Sequence, residues 1–157
     1  MTRFDAQFPK KRISAGCLIR SDDGRLLIVK PNYREGWLLP GGIIEAGESP
    51  AQGLRRELIE ELELDVGTGL RLVCVDYLCA DASYAESLHL LFDGPVLDAS
   101  ARARLRLDRS ELTELRFCAP AQAYALLVPS IARRLATIEN GQGPVYLESG
   151  AAPGCAG

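Results

Sequence analysis

The stretch from Ser49 to Leu62 constrains this chain more than any other. Ser49 is a good N-cap, Pro50 suits the first helical position, and Gln52 completes a Ser-x-x-Gln capping box. A helix from Pro50 to about Leu62 is therefore predicted. On a helix turning about 100° per residue, Ala51, Leu54, Leu58 and Leu62 gather on one arc, the face for packing on a sheet. Glu57, Glu60 and Glu61 gather on the neighbouring arc, and Glu57 and Glu61 are expected to face solvent. Gly53, one turn before Glu57, falls on that carboxylate arc and leaves a gap through which a ligand could approach.

This helix is built against local preference. Glu57 and Glu61 are like charges at i, i+4, which costs a few tenths of a kcal/mol on an exposed face. Glu60, Glu61 and Glu63 crowd the C-terminal end, where the helix dipole favours cations. A mid-helix glycine costs about 1 kcal/mol relative to alanine. Several penalties on one face imply a demand other than folding. A divalent cation would relieve the repulsion, and hard oxygen ligands suit Mg²⁺, which uses few carboxylates and completes its shell with water and phosphate. The plainer alternative is a solvated acidic helix face.

The remaining sequence supplies the setting. Ile13 to Arg20 and Arg25 to Lys30 read as a hairpin around Ser21-Asp22-Asp23-Gly24. An irregular loop, Pro31 to Gly36, leads to Trp37-Leu38-Leu39 and a turn at Pro40-Gly41-Gly42. Arg71 to Leu78, Ser87 to Phe92 and Leu112 to Cys118 read as strands, with Ala99 to Glu111 a charged loop or short element. Pro120 to about Ile138 reads as a helix that Pro129 kinks or splits. Pro144 to Leu147 reads as a short strand. One domain over 1–148 is expected, with a disordered small-residue tail over 149–157. Strands and helices in this order predict an α/β fold, a mixed sheet covered by helices.

Composition removes several function classes. With 157 residues, 47% apolar and 25% charged, the chain can bury a core without disulfides. A net charge of −3 argues against a general nucleic-acid binder, which needs a basic surface, and leaves small phosphorylated molecules open. Cys17, Cys74, Cys79, Cys118 and Cys155 have no zinc-like spacing and read as reduced thiols. The chain lacks a signal-peptide core and a membrane-spanning apolar run, so a cytoplasmic protein without membrane association is expected.

From Gly42 to Leu64 the chain resembles the Nudix signature, G-x5-E-x7-R-E-U-x-E-E-x-G-U, where U is aliphatic. Gly42, Glu48, Arg56, Glu57, Leu58, Glu60, Glu61 and Leu64 match at the expected spacing, and Trp37 to Gly42 resembles the usual lead-in. Glu63 stands where the family has the glycine that ends the helix. This predicts either a strained cap or a helix that runs on toward Gly67.

The resemblance implies an α/β/α sandwich and hydrolysis of nucleoside diphosphates linked to another moiety X, with water attacking phosphorus. It implies Mg²⁺, with Mn²⁺ as an alternative ion, held by Glu57, Glu60, Glu61 and a carbonyl of Gly41 or Gly42. Arg56 would orient the carboxylates, with Glu48 as its ion-pair mate. The base would be Glu57 or a loop carboxylate; Glu111 is best placed, followed by Glu114, with Glu86 and Asp93 also open. Tyr33 and Arg34 are candidates for contacting base and phosphate, and Gly41 for backbone contact with substrate, whereas Trp37 reads as core. His89, the only histidine, reads as structural or pocket-lining.

Markers that accompany NADH, coenzyme A and ADP-ribose substrates are absent, the first proline after the box being Pro95. Tyr77 and Tyr84 fall near the tyrosine of dinucleoside-polyphosphate enzymes. A nucleoside triphosphate pyrophosphohydrolase or a broad-specificity enzyme is the working expectation. A catalytically silent nucleotide sensor is the alternative, and a homodimer is left open.

Overall fold

A computed structural model describes residues 8–82, 84–139 and 143–153. The strands are β1 (Arg12–Ser21), β2 (Leu26–Pro31), β3 (Gly41–Ile43), β4 (Arg71–Leu78), β5 (Ser87–Leu97), β6 (Leu112–Cys118) and β7 (Val145–Glu148). The helices are α1 (Pro50–Leu62), α2 (Ala99–Arg104), α3 (Pro120–Leu126) and α4 (Pro129–Glu139). The strands form one seven-stranded sheet in the order β6-β2-β1-β5-β4-β7, with β3 paired to β1. β1–β5 and β4–β7 are parallel and the other pairs antiparallel, so the sheet is mixed, as expected.

Alternation along the central strands divides the core in two, because successive side chains leave opposite faces. Cys17 and Ile19 of β1, with Leu27 and Val29 of β2, pack with Leu54, Leu58 and Leu62 of α1. Leu18, Leu26 and Ile28 pack on the other face with Ala123, Leu127 and Leu135 from the α3–α4 region. This is the α/β/α sandwich. Trp37 is core, 7% exposed, with the Arg116 guanidinium 4.7 Å from its ring centre.

The structure departs from the expected elements in a few places. Pro40-Gly41-Gly42 is not a simple turn: Gly41–Ile43 is a strand, paired Ala15 to Gly42 and Gly16 to Gly41. Only glycine fits at Gly41, where φ is 132° and a Cβ would lie 2.2 Å from the Ala15 carbonyl oxygen. β5 continues past Phe92 to Leu97, whereas Pro129 splits the last helical stretch into two, one of the two outcomes expected. Ala51 is exposed, leaving Leu54, Leu58 and Leu62 as the packing stripe. Ser149 and Gly150 form a turn where the sequence reads as a disordered end; the Gly150 N–H donates to Asp76 Oδ1 at 3.0 Å. Residues 154–157 lie outside the described residues.

Cys17, Cys74 and Cys118 are buried free thiols and Cys79 is an exposed one; Cys155 lies outside the described residues. Burial pushes Cys17 up to about 12 and Cys74 to about 11, so both stay protonated. No helix among the described residues is long and apolar enough to cross a membrane.

Candidate active site

The capping box fixes the start of α1. Gln52 N–H donates to Ser49 Oγ at 3.3 Å, and Ser49 N–H donates to Gln52 Oε1 at 2.9 Å. At the other end, Glu63 turns left-handed (φ 52°) and its N–H donates to the Ile59 carbonyl at 2.9 Å. The cap is therefore at Glu63, and the helix does not run on toward Gly67. Two further carbonyls of the last turn are satisfied from the α2–β6 loop. Arg106 N–H donates to Leu62 O at 3.0 Å and Asp108 N–H to Glu61 O at 2.9 Å.

Arg56 organises the helix face. Its Nε and Nη2 donate to Glu48 Oε1 and Oε2 at 2.7 and 3.0 Å, a bidentate pair. Nη2 also donates to the Ile43 carbonyl, and Nη1 reaches Glu57 at 2.9 Å and Glu60 at 3.0 Å. Glu48 is held below the ordinary carboxylate range, chiefly by Arg56. Gly53 does not leave a gap for ligand. A Cβ there would lie 2.7 Å from Ile44 Cδ1 and 2.8 Å from Glu48 Oε2, so its missing side chain makes room for the loop that delivers Glu48.

The carboxylates differ in exposure, contrary to the expectation that Glu57 and Glu61 both face solvent. Glu60 has a side chain 57% exposed, Glu57 only 16%, and Glu61 is buried. Glu57 packs on Gly42, where a Cβ would lie 2.4 Å from its carboxyl carbon. Desolvation raises its pKa, against the lowering influence of Arg56. Glu61 Oε2 accepts from Gly41 N–H at 2.9 Å and has no ion-pair partner among the described residues. Burial, reinforced by the charges of Glu57, Glu111 and Asp108, pushes Glu61 up to about 8.

Glu111 immediately precedes β6, and its charge is felt at both Glu57 and Glu61. Tyr33 is 70% exposed, and its hydroxyl pKa is raised by desolvation and then by Glu61, Glu111 and Glu57, with Arg34 acting in the other direction. Gly41, Gly42, Glu48, Arg56, Glu57, Glu60, Glu61, Glu111, Tyr33 and Arg34 thus belong to one region. Glu114 pairs with Arg116, Glu86 with Lys11 and the Tyr77 hydroxyl, and Asp93 with Arg20 and Arg71. Asp108 was not singled out from sequence; its Asp-x-Ser turn, with Ser110 N–H donating to Asp108 Oδ1 at 2.9 Å, was the available signal. His89 is structural, its ring nitrogens engaged by Ser14 Oγ at 2.6 Å and Ser87 Oγ at 3.1 Å.

Among the described residues no three His, Cys, Asp or Glu side chains converge tightly enough to hold an ion alone. The ion that the family resemblance implies, Mg²⁺ or Mn²⁺, takes few carboxylates and fills its shell with water and substrate. The donors fit such an ion: all are hard oxygens, and Glu61 is a buried carboxylate without a counter-cation.

The NUDIX domain model matches residues 10–138. The chain belongs to the Nudix family. This Nudix domain is 36% identical over 66 residues to a MutT-like protein of Streptomyces ambofaciens, a match covering 40% of this chain and 43% of that protein. The chain therefore spans less than half the length of that relative. It is 24% identical over 124 residues to a Bacillus subtilis protein named "Putative 8-oxo-dGTP diphosphatase", covering 79% of this chain and 77% of the relative. In fold it is similar to a MutT protein from Methanosarcina mazei, with TM-score 0.70 and 21% identity over 85% of this chain and 97% of that one.

Proposed function

We propose that this Nudix domain hydrolyses a phosphoanhydride bond in a nucleoside diphosphate linked to another group, with nucleoside triphosphates the first class to test. The observation that carries the reading is Glu61, buried without an ion-pair partner among the described residues, close enough to Glu57, Glu111 and Tyr33 to interact electrostatically with each. Burial and its acidic neighbours hold Glu61 in the protonated form, a perturbation typical of functional sites, and a bound cation would favour its ionised form. The name of the Bacillus subtilis relative that spans most of the chain, "Putative 8-oxo-dGTP diphosphatase", supports testing triphosphates first.

Glu57, Glu60 and Glu61, with a carbonyl of Gly42, would hold Mg²⁺ or Mn²⁺. When bound, the ion supplies positive charge against the phosphate oxygens. Arg56 holds Glu57 and Glu60 in place while Glu48 fixes Arg56. Tyr33 stacks on the base, Arg34 contacts a phosphate, and the Gly41 backbone borders the substrate. A water oxygen forms the new bond to phosphorus as the anhydride P–O bond breaks. Its proton passes to the Glu111 carboxylate, which has no side-chain hydrogen bond among the described residues, or to Glu57.

The test is a Mg²⁺-dependent hydrolysis screen over standard and oxidised nucleoside triphosphates, ADP-ribose, NADH, nucleotide sugars and dinucleoside polyphosphates. Glu57→Gln and Glu61→Gln are expected to cut turnover by orders of magnitude with the fold retained, because the amide oxygen introduced by Glu61→Gln can still accept from Gly41 N–H. Wild-type turnover in either variant would remove the reaction from this helix. Nucleotide binding without turnover would instead favour a sensor.

A further inference from the structure

Ion pairing is unevenly distributed over the molecule. Arg20, Arg55, Arg56, Arg71, Arg116 and Arg134 each face a carboxylate. Of the eight described cations with no carboxylate within ion-pair distance among the described residues, four, Lys30, Arg34, Arg106 and Arg109, line adjoining hollows. The Arg106 side chain donates only to the carbonyls of Ala103 and Leu105, at 3.0 and 2.9 Å, and Arg109 only to that of Thr113, at 3.2 Å.

These four cations lie at the β6 end of the sheet: Lys30 on β2, paired with Glu114 of β6, Arg34 in the loop after β2, and Arg106 and Arg109 in the loop before β6. Two shallow, open hollows of about 560 and 700 Å³ meet there at Thr113 and Glu114; Arg106 and Arg109 line the first, Lys30 and Arg34 the second. The acids in the linings are Glu114, already held by Arg116, and Glu35, so positive charge is in excess in a chain whose net charge is −3. Arg109 uses only Nη1, on the Thr113 carbonyl, so its Nε and Nη2 donors carry no hydrogen bond among the described residues. The second hollow includes Tyr33, which senses Glu57, Glu61 and Glu111, so the basic track adjoins the carboxylate site.

We propose that Arg106 and Arg109 form an anion site for substrate phosphates beyond the anhydride that is cut, so that substrates with long phosphate chains are preferred. Guanidinium forks suit phosphate oxygens, and both side chains are exposed and unneutralised. The substrate preference rests on the hydrolase reading above; the anion site does not.

The test is calorimetric titration with inorganic tripolyphosphate in the presence of chelator, which reads the site without turnover. Wild type and Glu57→Gln are expected to bind alike, and Arg106→Ala/Arg109→Ala to bind at least about tenfold more weakly. Arg106→Lys/Arg109→Lys, which keeps the charge, should recover part of the loss. The N–H that caps α1 at Arg106 belongs to the backbone, so neither variant removes it. No tripolyphosphate binding by wild type, or equal binding by the alanine variant, overturns the site. In kinetics the alanine variant should raise KM for a dinucleoside tetraphosphate and spare a nucleoside triphosphate; an equal rise for both overturns the length preference. Arginine-dependent binding with no turnover of any substrate would sink the hydrolase reading and keep the anion site.

Discussion

At Glu63 the backbone adopts φ 52°, a region where an L side chain is crowded and glycine is not. Its side chain is exposed and enters no ion pair among the described residues, so little offsets the crowding. Glu63→Gly is expected to stabilise the fold by about 0.5–1 kcal/mol, read from the urea midpoint at unchanged slope. Turnover should be unaffected, since the helix already ends there. The sequence signalled this residue by its departure from the signature, and left open which of two outcomes would follow. What decides between them is non-local: the α2–β6 loop donates N–H groups to the last carbonyls of α1 and closes the helix at Leu62.

At the scale of elements, β5 carries a polar spot inside the sheet. His89 lies between Ser14 of β1 and Asp76 of β4 in the register, and burial, then the charges of Arg134 and Arg12, lower its pKa to about 4. Folded His89 therefore stays neutral where the unfolded chain, with an ordinary value of about 6.5, takes up a proton. Stability should fall as pH drops from about 6.5 through about 4 and gain no further slope from this group below that. Thermal melts across this range should show the trend, and His89→Gln should flatten it.

Legibility followed locality in these elements. The bounds of α1 were readable because Ser49, Pro50 and Gln52 act within one turn. β3 was hidden because Pro40-Gly41-Gly42 looks like a turn until Gly16 is seen paired with Gly41 and Ala15 with Gly42. The end of β5 was hidden because Asp93-Gly94-Pro95 looks like a stop. Yet a Cβ at Gly94 would lie 2.4 Å from Cys17 Sγ, so the glycine serves close strand packing. Glu57, Glu60 and Glu61 could be named as a set from their spacing, but not that Glu61 would be buried and Glu60 exposed, which depends on where the β2–β3 segment lies.

Across the whole molecule, one buried ion pair joins the far helix to the sheet. Asp76 and Arg134 are both almost fully buried, with Arg134 Nε donating to Asp76 Oδ2 and Gly150 N–H to Oδ1. This ties α4, β4 and the turn after β7 to a single carboxylate. Asp76→Ala should cost about 3–5 kcal/mol by stranding the guanidinium, whereas Asp76→Leu/Arg134→Met should recover most of it. Chemical denaturation of the two variants measures the difference.

The contact between the α2–β6 loop and the end of α1 also sets how the site can open. Asp108 N–H is bonded to the Glu61 carbonyl, and Asn32 N–H to that of Glu111. Glu61 and Glu111 therefore sit on one clamped jaw whose gauge is fixed by main-chain bonds rather than by rotamers. The opposite jaw is the span from Tyr33 to Gly36, anchored at Asn32 on one side and on the other at Trp37, whose N–H donates to the Leu126 carbonyl. Main-chain hydrogen bonds hold that four-residue span only at its two ends among the described residues, so one side of the cleft is tied along its length and the other is a bridge slung between two anchors.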